Sequence, residues 1–380
     1  MSELSLQQEF PQDSDVYYLN HAAVSPWPQR AATAVAKFAR ENLHRGAADY
    51  PAWLKTEQSL RSKLAQMIGA ESVANIALQK NTSEGLSAIA YGLNWQAGDA
   101  IVITDQEFPS NRIVWESLAS KGVSLIEAPL GNGQDTDTPE QNIIAALDSS
   151  VRLLSVSSVQ YGNGLVLDLE QLGNACREQG ILFCVDAIQS IGALPFDVTA
   201  CQADFVVADG HKWMLGPEGL ALFYVSDRAM DLLSLNQYGW HMVEDRGNYN
   251  RKTWEIATDA KRFECGSPNM LGAYALNASL ELLLEIGMHQ VQSALMDNIQ
   301  YLQQALLARS DLELLTDIHR PQRSGILTFR HREIAPELLF ERLKQQGVVC
   351  ACRGGGIRFS PHFYTPYPGL RKAVDLIPSA

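Results

Sequence analysis

The sequence predicts an α/β fold: a large domain built on a seven-stranded, mostly parallel sheet, with a smaller α+β domain C-terminal to it. Three observations predict it. Seven short runs rich in apolar and β-branched residues lie between about Ile76 and Val225. Stretches of helical period alternate with the first six of them, and near-continuous apolar strands are those buried on both faces. The last connection is rich in Gly and holds a Pro, so it offers no helix for a parallel crossover.

In chain order the runs are NIALQ (75–79), AIVIT (100–104), VSLIEA (123–128), VRLLSVS (151–157), ILFCVD (181–186), DFVVAD (204–209) and LALFYV (220–225). The helix after the first carries Leu86, Ile89, Ala90 and Leu93. Another, after the fourth, carries Leu169, Leu172, Ala175 and Cys176 and is stopped by Gly180. GHKWMLGPEG joins the last two runs, so the seventh strand should run antiparallel to the sixth. Segment 237–261 is polar and aromatic without a period and reads as a long loop over a site or interface. A helical region from Ala273 to about Ala308 carries Leu276, Leu280, Leu283, Leu284, Leu302 and Leu306, with a break near Gly287. GILTF, a helix through 336–346, VVCAC and GIRFS follow. The organisation is an N-terminal segment 1–25, a large domain 26–262 and a small domain 263–380.

Composition narrows the function classes. The 380 residues are 46% hydrophobic, enough for a large core, and carry a net charge of −13. That charge opposes a phosphate-tracking nucleic-acid surface. No window approaches eighteen uninterrupted apolar residues, so no membrane partner is expected. The start, MSELSLQQEFPQDSD, is polar and acidic, unlike a leader. Six cysteines without a paired CxxC framework read as reduced thiols of a cytoplasmic protein, and no metal site is expected.

Ligands of open α/β sheets bind beyond the carboxyl ends of the strands, and polar residues gather there. In NTSEG, the hydroxyls of Thr82 and Ser83 at a helix start suit a phosphate. Asp186 closes the apolar run ILFCV and offers a carboxylate to a cationic atom. Lys212 ends the sixth run between His211 and Trp213, where desolvation would make its amine a nucleophile. A phosphate cup, an anion and a Schiff-base amine are what pyridoxal phosphate requires of a protein.

The run VDAIQSIGALPFDVTACQADFVVADGHKWMLGPEGLALFYV resembles the cofactor segment of class V aminotransferases, the fold-type-I pyridoxal-phosphate enzymes. NTSEG, GDAIVITDQEFPSN, RFECGSPN and GIRFSPHFY fall in that family's order. The resemblance implies that Lys212 holds the cofactor as an imine and shuttles the α-proton of an amino-acid substrate. It implies that Asp186 pairs with the pyridinium nitrogen, Gln189 hydrogen-bonds the phenolic oxygen and Phe108 stacks on the ring. Thr82, Ser83 and His211 would hold the phosphate, with Ser267 reaching in from the second subunit of a homodimer. Arg358 would grip the substrate α-carboxylate. The outcome stays open among transamination, epimerisation and β-elimination with C–S cleavage, as in the family's cysteine desulfurases. A non-catalytic cofactor carrier or regulator is the rival from another class, and it would need no carboxylate clamp.

Several positions depart from the desulfurase pattern. Phe108 stands where a histidine is common, and it cannot exchange protons. Asp209 stands where many relatives have serine, and as an anion it is expected to point away from the phosphate. Cys350 and Cys352 share a strand parity with Val348, which predicts a buried pair rather than a mobile nucleophile, with Arg353 on the opposite face. His21, in YLNHAAVSP, reads as lining the substrate entrance, with a surface or capping role as the alternative. Trp53, Trp95 and Trp115 read as packing residues.

Overall fold

The computed structural model describes residues 3–131 and 137–379; residues 1–2 and 380, the outermost of the expected terminal units, lie outside them. All seven apolar runs form strands: β1 (Ile76–Gln79), β2 (Ala100–Thr104), β3 (Ser124–Ala128), β4 (Val151–Ser157), β5 (Leu182–Asp186), β6 (Phe205–Asp209) and β7 (Ala221–Val225). They make one sheet in the order β1-β7-β6-β5-β4-β2-β3. β7 runs antiparallel to both β6 and β1, and the other pairs are parallel. Side chains of β4–β7 explain the continuous apolar runs. Leu154, Phe183, Val185, Val206 and Leu222 enter a core on one face, while Leu153, Leu182, Cys184, Phe205 and Phe223 enter a core on the other.

The connections hold one surprise. Helices follow β1 (Thr82–Gly92) and β4 (Leu169–Gln179), the latter capped by Asp168 and ended by Gly180 at φ 71°. Between β5 and β6, where the sequence pattern predicts a helix, the chain makes only turns. Pro195 and the left-handed Gly192 interrupt any helix there. A Cβ on Gly192 would lie 2.3 Å from the carbonyl oxygen of Trp213, so this connection packs directly beneath the turn that carries Lys212.

Two helices that the motifs do not mark, Gln29–Arg45 and Tyr50–Met67, pack against helix Met270–Ile286. That last helix sends Leu276, Leu280 and Leu283 into the core of the large sheet. Gly287, at φ 88°, separates it from Met288–Leu307. The smaller unit is a four-stranded antiparallel sheet, β10-β11-β9-β8, made of β8 (Leu312–Leu314), β9 (Leu327–His331), β10 (Ala351–Arg353) and β11 (Gly356–Phe359). The N-terminal segment straps this unit: Tyr17–Tyr18 pairs with Val348–Val349, and His21 N donates to the Ser360 carbonyl. Segment 237–261 is irregular, with one bridge between Val243 and Ile256, and exposes Tyr238, Tyr249 and Trp254. Among the described residues no helix is long and apolar enough to cross a membrane.

A buried ion network ties these layers together. Arg61 is wholly buried and donates to Glu57 Oε1 at 2.6 Å and to Glu264 Oε2 at 2.7 Å, while Glu264 Oε1 accepts from Leu78 N in β1. Replacing Arg61 with methionine strands two carboxylates away from water. The expected loss is about 3–5 kcal/mol of stability, read as a lowered urea midpoint. A midpoint within experimental error of the parent's would show that the carboxylates find other partners.

Candidate active site

The carboxyl ends of β1, β5 and β6 open onto one cavity of about 240 Å³. Thr82, Ser83, Phe108, Asp186, Gln189, His211, Lys212 and Arg358 all line it, brought together from five separate stretches of chain. A larger hollow of about 810 Å³, between the N-terminal segment and residues 363–372, holds none of the sequence-predicted residues.

Lys212 sits on a rigid base. Gly210 N donates to the Leu220 carbonyl, and Leu215 N donates to that of Lys212 at 2.9 Å. Leu215 itself adopts φ 60°, a left-handed conformation costing about 1–3 kcal/mol in a residue of this kind. Trp213, fully buried, donates Nε1–H to Gln189 Oε1 at 2.8 Å. Lys212 Nζ lies 5.6 Å from the Phe108 ring centroid across the cavity. Burial lowers the pKa of Lys212 against the opposing pull of Asp186, and the guanidinium of Arg358 lowers it further. Burial likewise raises that of Asp186, whose Oδ1 accepts from Ile188 N at 3.0 Å. Gln189 donates to the Ala22 carbonyl through Nε2, which keeps one further hydrogen.

A helix lining the cavity begins at Thr82, one residue after its cap, Asn81, whose side chain accepts from Glu84 N. Thr82 Oγ1 is buried without a protein partner, and Ser83 Oγ bonds Ser110 Oγ at 2.9 Å. Asp209 was expected to point elsewhere, yet it lines the cavity. Strand parity puts it on the same face as Val207, toward the helix of Thr82, and His211 Nδ1 stands 2.9 Å from its Oδ1.

Arg358 projects from β11 and is almost wholly buried. It donates to the Tyr161 carbonyl at 2.8 Å and to Asn20 Oδ1 at 3.4 Å, leaving Nε unpartnered. Burial, and then the charge of Arg353, push its pKa down to about 10.

One residue expected to line the cavity does not, and Ser267, expected from the second subunit, lies outside its own chain's cavity. His21 does not line an entrance: it is fully buried, with Nδ1 at 2.9 Å from the Ser360 carbonyl and Nε2 at 2.7 Å from the Tyr364 hydroxyl. The carbonyl must accept, so Nδ1 carries the hydrogen and Nε2 accepts from Tyr364. Burial holds the ring well below the ordinary histidine pKa, and it serves to fasten the N-terminal strap. Ser267 faces a separate hollow with Gln79 and Glu264. None of the six cysteines lines the cavity. Burial pushes the Cys350 thiol up to about 12 and raises that of half-buried Cys352.

The sequence motifs passed over two other groups. Glu107, buried under the Phe108 turn, accepts from Thr104, Asn111, Ser157 and Gln160 and so anchors that turn. Its position directly before Phe108 was the only signal. Arg353 lines the cavity beside Arg358.

The cavity suits pyridoxal phosphate on its own evidence. An orphaned buried hydroxyl at a helix start, a buried carboxylate and a desolvated amine all line it. Each matches one part of the cofactor: its phosphate, its ring nitrogen and its aldehyde.

Comparisons with known proteins agree. The family model Aminotransferase class-V matches residues 17–359. The chain is 29% identical to a probable cysteine desulfurase of Methanothermobacter thermautotrophicus, covering 94% of this chain and 93% of that protein. It is 32% identical to a probable cysteine desulfurase of Pyrococcus abyssi, covering 76% and 72%. A solved structure of a C-DES mutant, with glycine covalently linked to its pyridoxal-phosphate cofactor, superposes with a TM-score of 0.91 at 21% identity, covering 98% of this chain and 99% of that one.

Proposed function

The chain belongs to the aminotransferase class-V family of pyridoxal-phosphate enzymes, and from that premise we propose that it acts at the α-carbon of an amino acid without help from an enzyme thiol. The cofactor, when bound, supplies an electron-withdrawing ring that stabilises negative charge at that carbon. The chain's residues supply the rest. Lys212 is the amine nucleophile and afterwards the base that moves the α-proton, a role its lowered pKa favours near neutral pH. Asp186 would pair with the ring nitrogen of the bound cofactor and keep it protonated. Arg358 orients the substrate through its carboxylate, with the forked geometry that lysine lacks. Phe108 would cover one ring face, Gln189 would offer its free amide hydrogen to the phenolic oxygen, and Thr82, Ser83 and His211 would hold the phosphate.

The observation that carries this reading is the cavity lining, which joins Lys212, Asp186 and Arg358 and includes no cysteine. Loss of α-deuterium from labelled amino acids, followed with and without a keto-acid acceptor, tests it and separates transamination from elimination and epimerisation. If no amino acid exchanges, the carrier reading gains.

The names of the relatives favour a second reading, a cysteine desulfurase or C–S lyase. A thiol-dependent desulfurase must bring a thiolate to the substrate sulfur, and burial opposes that at both Cys350 and Cys352. Replacing both with serine should leave turnover within about twofold. Stability should fall by about 1–3 kcal/mol, the cost of a poorly partnered buried hydroxyl. If the parent releases sulfur from cysteine through a protein persulfide and either single replacement stops it, the thiol-dependent reading wins.

A homodimer completes the proposal. Ser267 stands outside its own cavity, and the exposed aromatic side chains of segment 237–261 offer a surface to cover. A cytoplasmic location accords with six free cysteines and no disulfide among the described residues. The net charge of −13 disfavours nucleic acid as a partner.

A further inference from the structure

Asp209 puts a carboxylate where the reading above puts a phosphate. It ends β6 on the face of Val207. A Cβ on Gly85 would lie 2.8 Å from Val207 Cγ1, so the helix Thr82–Gly92 packs tightly on that face. Asp209 is two residues beyond Val207 and Thr82 three before Gly85, which brings both to the same end of this packing, and both line the cavity. Both are buried, and Asp209 Oδ1 and Thr82 Oγ1 each lack a hydrogen bond among the described residues. His211 lines the cavity beside them. Its Nδ1 stands 2.9 Å from Asp209 Oδ1, in contact but off the hydrogen-bond axis, so this atom too is buried without a bond.

A carboxylate oxygen and an imidazole nitrogen at that distance repel if both present lone pairs, so a hydrogen lies between them. With Asp209 ionised, that hydrogen is on Nδ1. A neutral ring has no second one, and Nε2 is left a bare acceptor. A phosphate dianion brought to this corner would then meet a carboxylate and an acceptor nitrogen. Against them stand only the helix start and the hydroxyls of Thr82 and Ser83. One added proton removes both conflicts. The imidazolium donates from Nδ1 to Asp209 and from Nε2 to the phosphate.

We propose that Asp209 and His211 take up one proton when the cofactor's phosphate binds, so that an imidazolium stands between two anions. This rests on the cofactor reading above. The other charged groups around the pair leave the conflict in place. Glu84, in the helix's first turn, accepts from Lys80 N at 2.6 Å and lies 3.5 Å from Lys80 Nζ. Asp186 of β5 and Lys212 attract each other; burial dominates the titration of both, and Asp209 favours the protonated form of each. Glu218 adds a further negative charge to the lining. The cations of β10 and β11 are Arg353 and Arg358, and Arg358 is held by the Tyr161 carbonyl and Asn20.

The test is calorimetry on the full chain freed of cofactor, with pyridoxamine phosphate as the probe. That compound carries the phosphate but no aldehyde, so it forms no bond to Lys212. Pyridoxamine, which lacks the phosphate, is the control. In buffers of different ionisation heat near pH 8, the parent should take up about one proton more with pyridoxamine phosphate than with pyridoxamine. Asp209→Asn and Asp209→Ser should abolish that difference, because either leaves His211 free to carry its one hydrogen on Nε2. A ligand that recruits a proton loses affinity as pH rises. Between about pH 6.5 and 8.5 the parent's affinity for pyridoxamine phosphate should therefore fall at least roughly tenfold more than that of either variant. Equal proton counts for the two probes in the parent overturn the inference and leave the cofactor reading standing. A difference that survives in both variants places the proton elsewhere and overturns it as well. If pyridoxamine phosphate binds to neither the parent nor a variant at any pH, the cofactor reading fails and this one with it.

Discussion

Lys212→Ala abolishes the borohydride-reducible link between protein and cofactor and lowers turnover by at least roughly 10²–10⁴-fold, the range for losing a positioned acid–base group. The loss should reach further than that range, because the same amine is both the nucleophile and the proton carrier. The fold should survive. The turn is held by backbone bonds of Gly210, Leu215 and Gly216 and by the indole of Trp213, not by the lysine side chain. Without cofactor, the variant loses a charge that burial disfavours and, with it, the attraction of buried Asp186, so the two effects on stability offset. Peptide mass spectrometry after reduction locates the adduct. An adduct on any other lysine of the parent would overturn the assignment.

Arg358→Ala should cost roughly 2–5 kcal/mol of substrate or transition-state binding, the range for removing one partner of a buried charge pair. Arg358→Lys should recover only part, because an ammonium cannot present two parallel donors. Amines without a carboxylate should be nearly indifferent to either change, and this contrast is the check. Equal losses for amino acids and simple amines would mean that Arg358 only supports the Tyr161 backbone, which it also touches. A second readout follows from charge. Arg358 helps to depress the pKa of Lys212, so in the cofactor-free variant the lysine should titrate at a higher pH than in the parent.

Much of this is legible in the sequence. A strand buried on both faces is apolar at most positions rather than at every second one, so the runs at 151–157, 181–186 and 204–209 announced the central sheet. The turn chemistry of GHKWMLGPEG announced the reversed last strand. Thr82, Asp186 and Lys212 were visible because each sits at or just past the end of a strand-like run, and a polar residue there needs a reason; Arg358, inside β11, was legible only through the resemblance of GIRFSPHFY to the family.

What only the tertiary structure decided concerns side chains whose environment is built by distant parts of the chain. His21 has a polar neighbourhood in sequence, but strand pairing of Tyr17–Tyr18 with Val348–Val349 carries it into a closed nest with Ser360 and Tyr364. Asp209 looked misplaced beside a phosphate until strand parity and His211 gave it a direction and a partner. Arg353 is unremarkable among its neighbours, and only the pairing of β10 with β11 sets it beside Arg358. Local sequence determines where a strand ends and which way its residues alternate, because those depend on a few neighbouring dihedrals. Which face meets solvent, core or cavity depends on contacts across more than three hundred residues of separation, such as the His21–Ser360 bond, and these exist only once the chain has closed on itself.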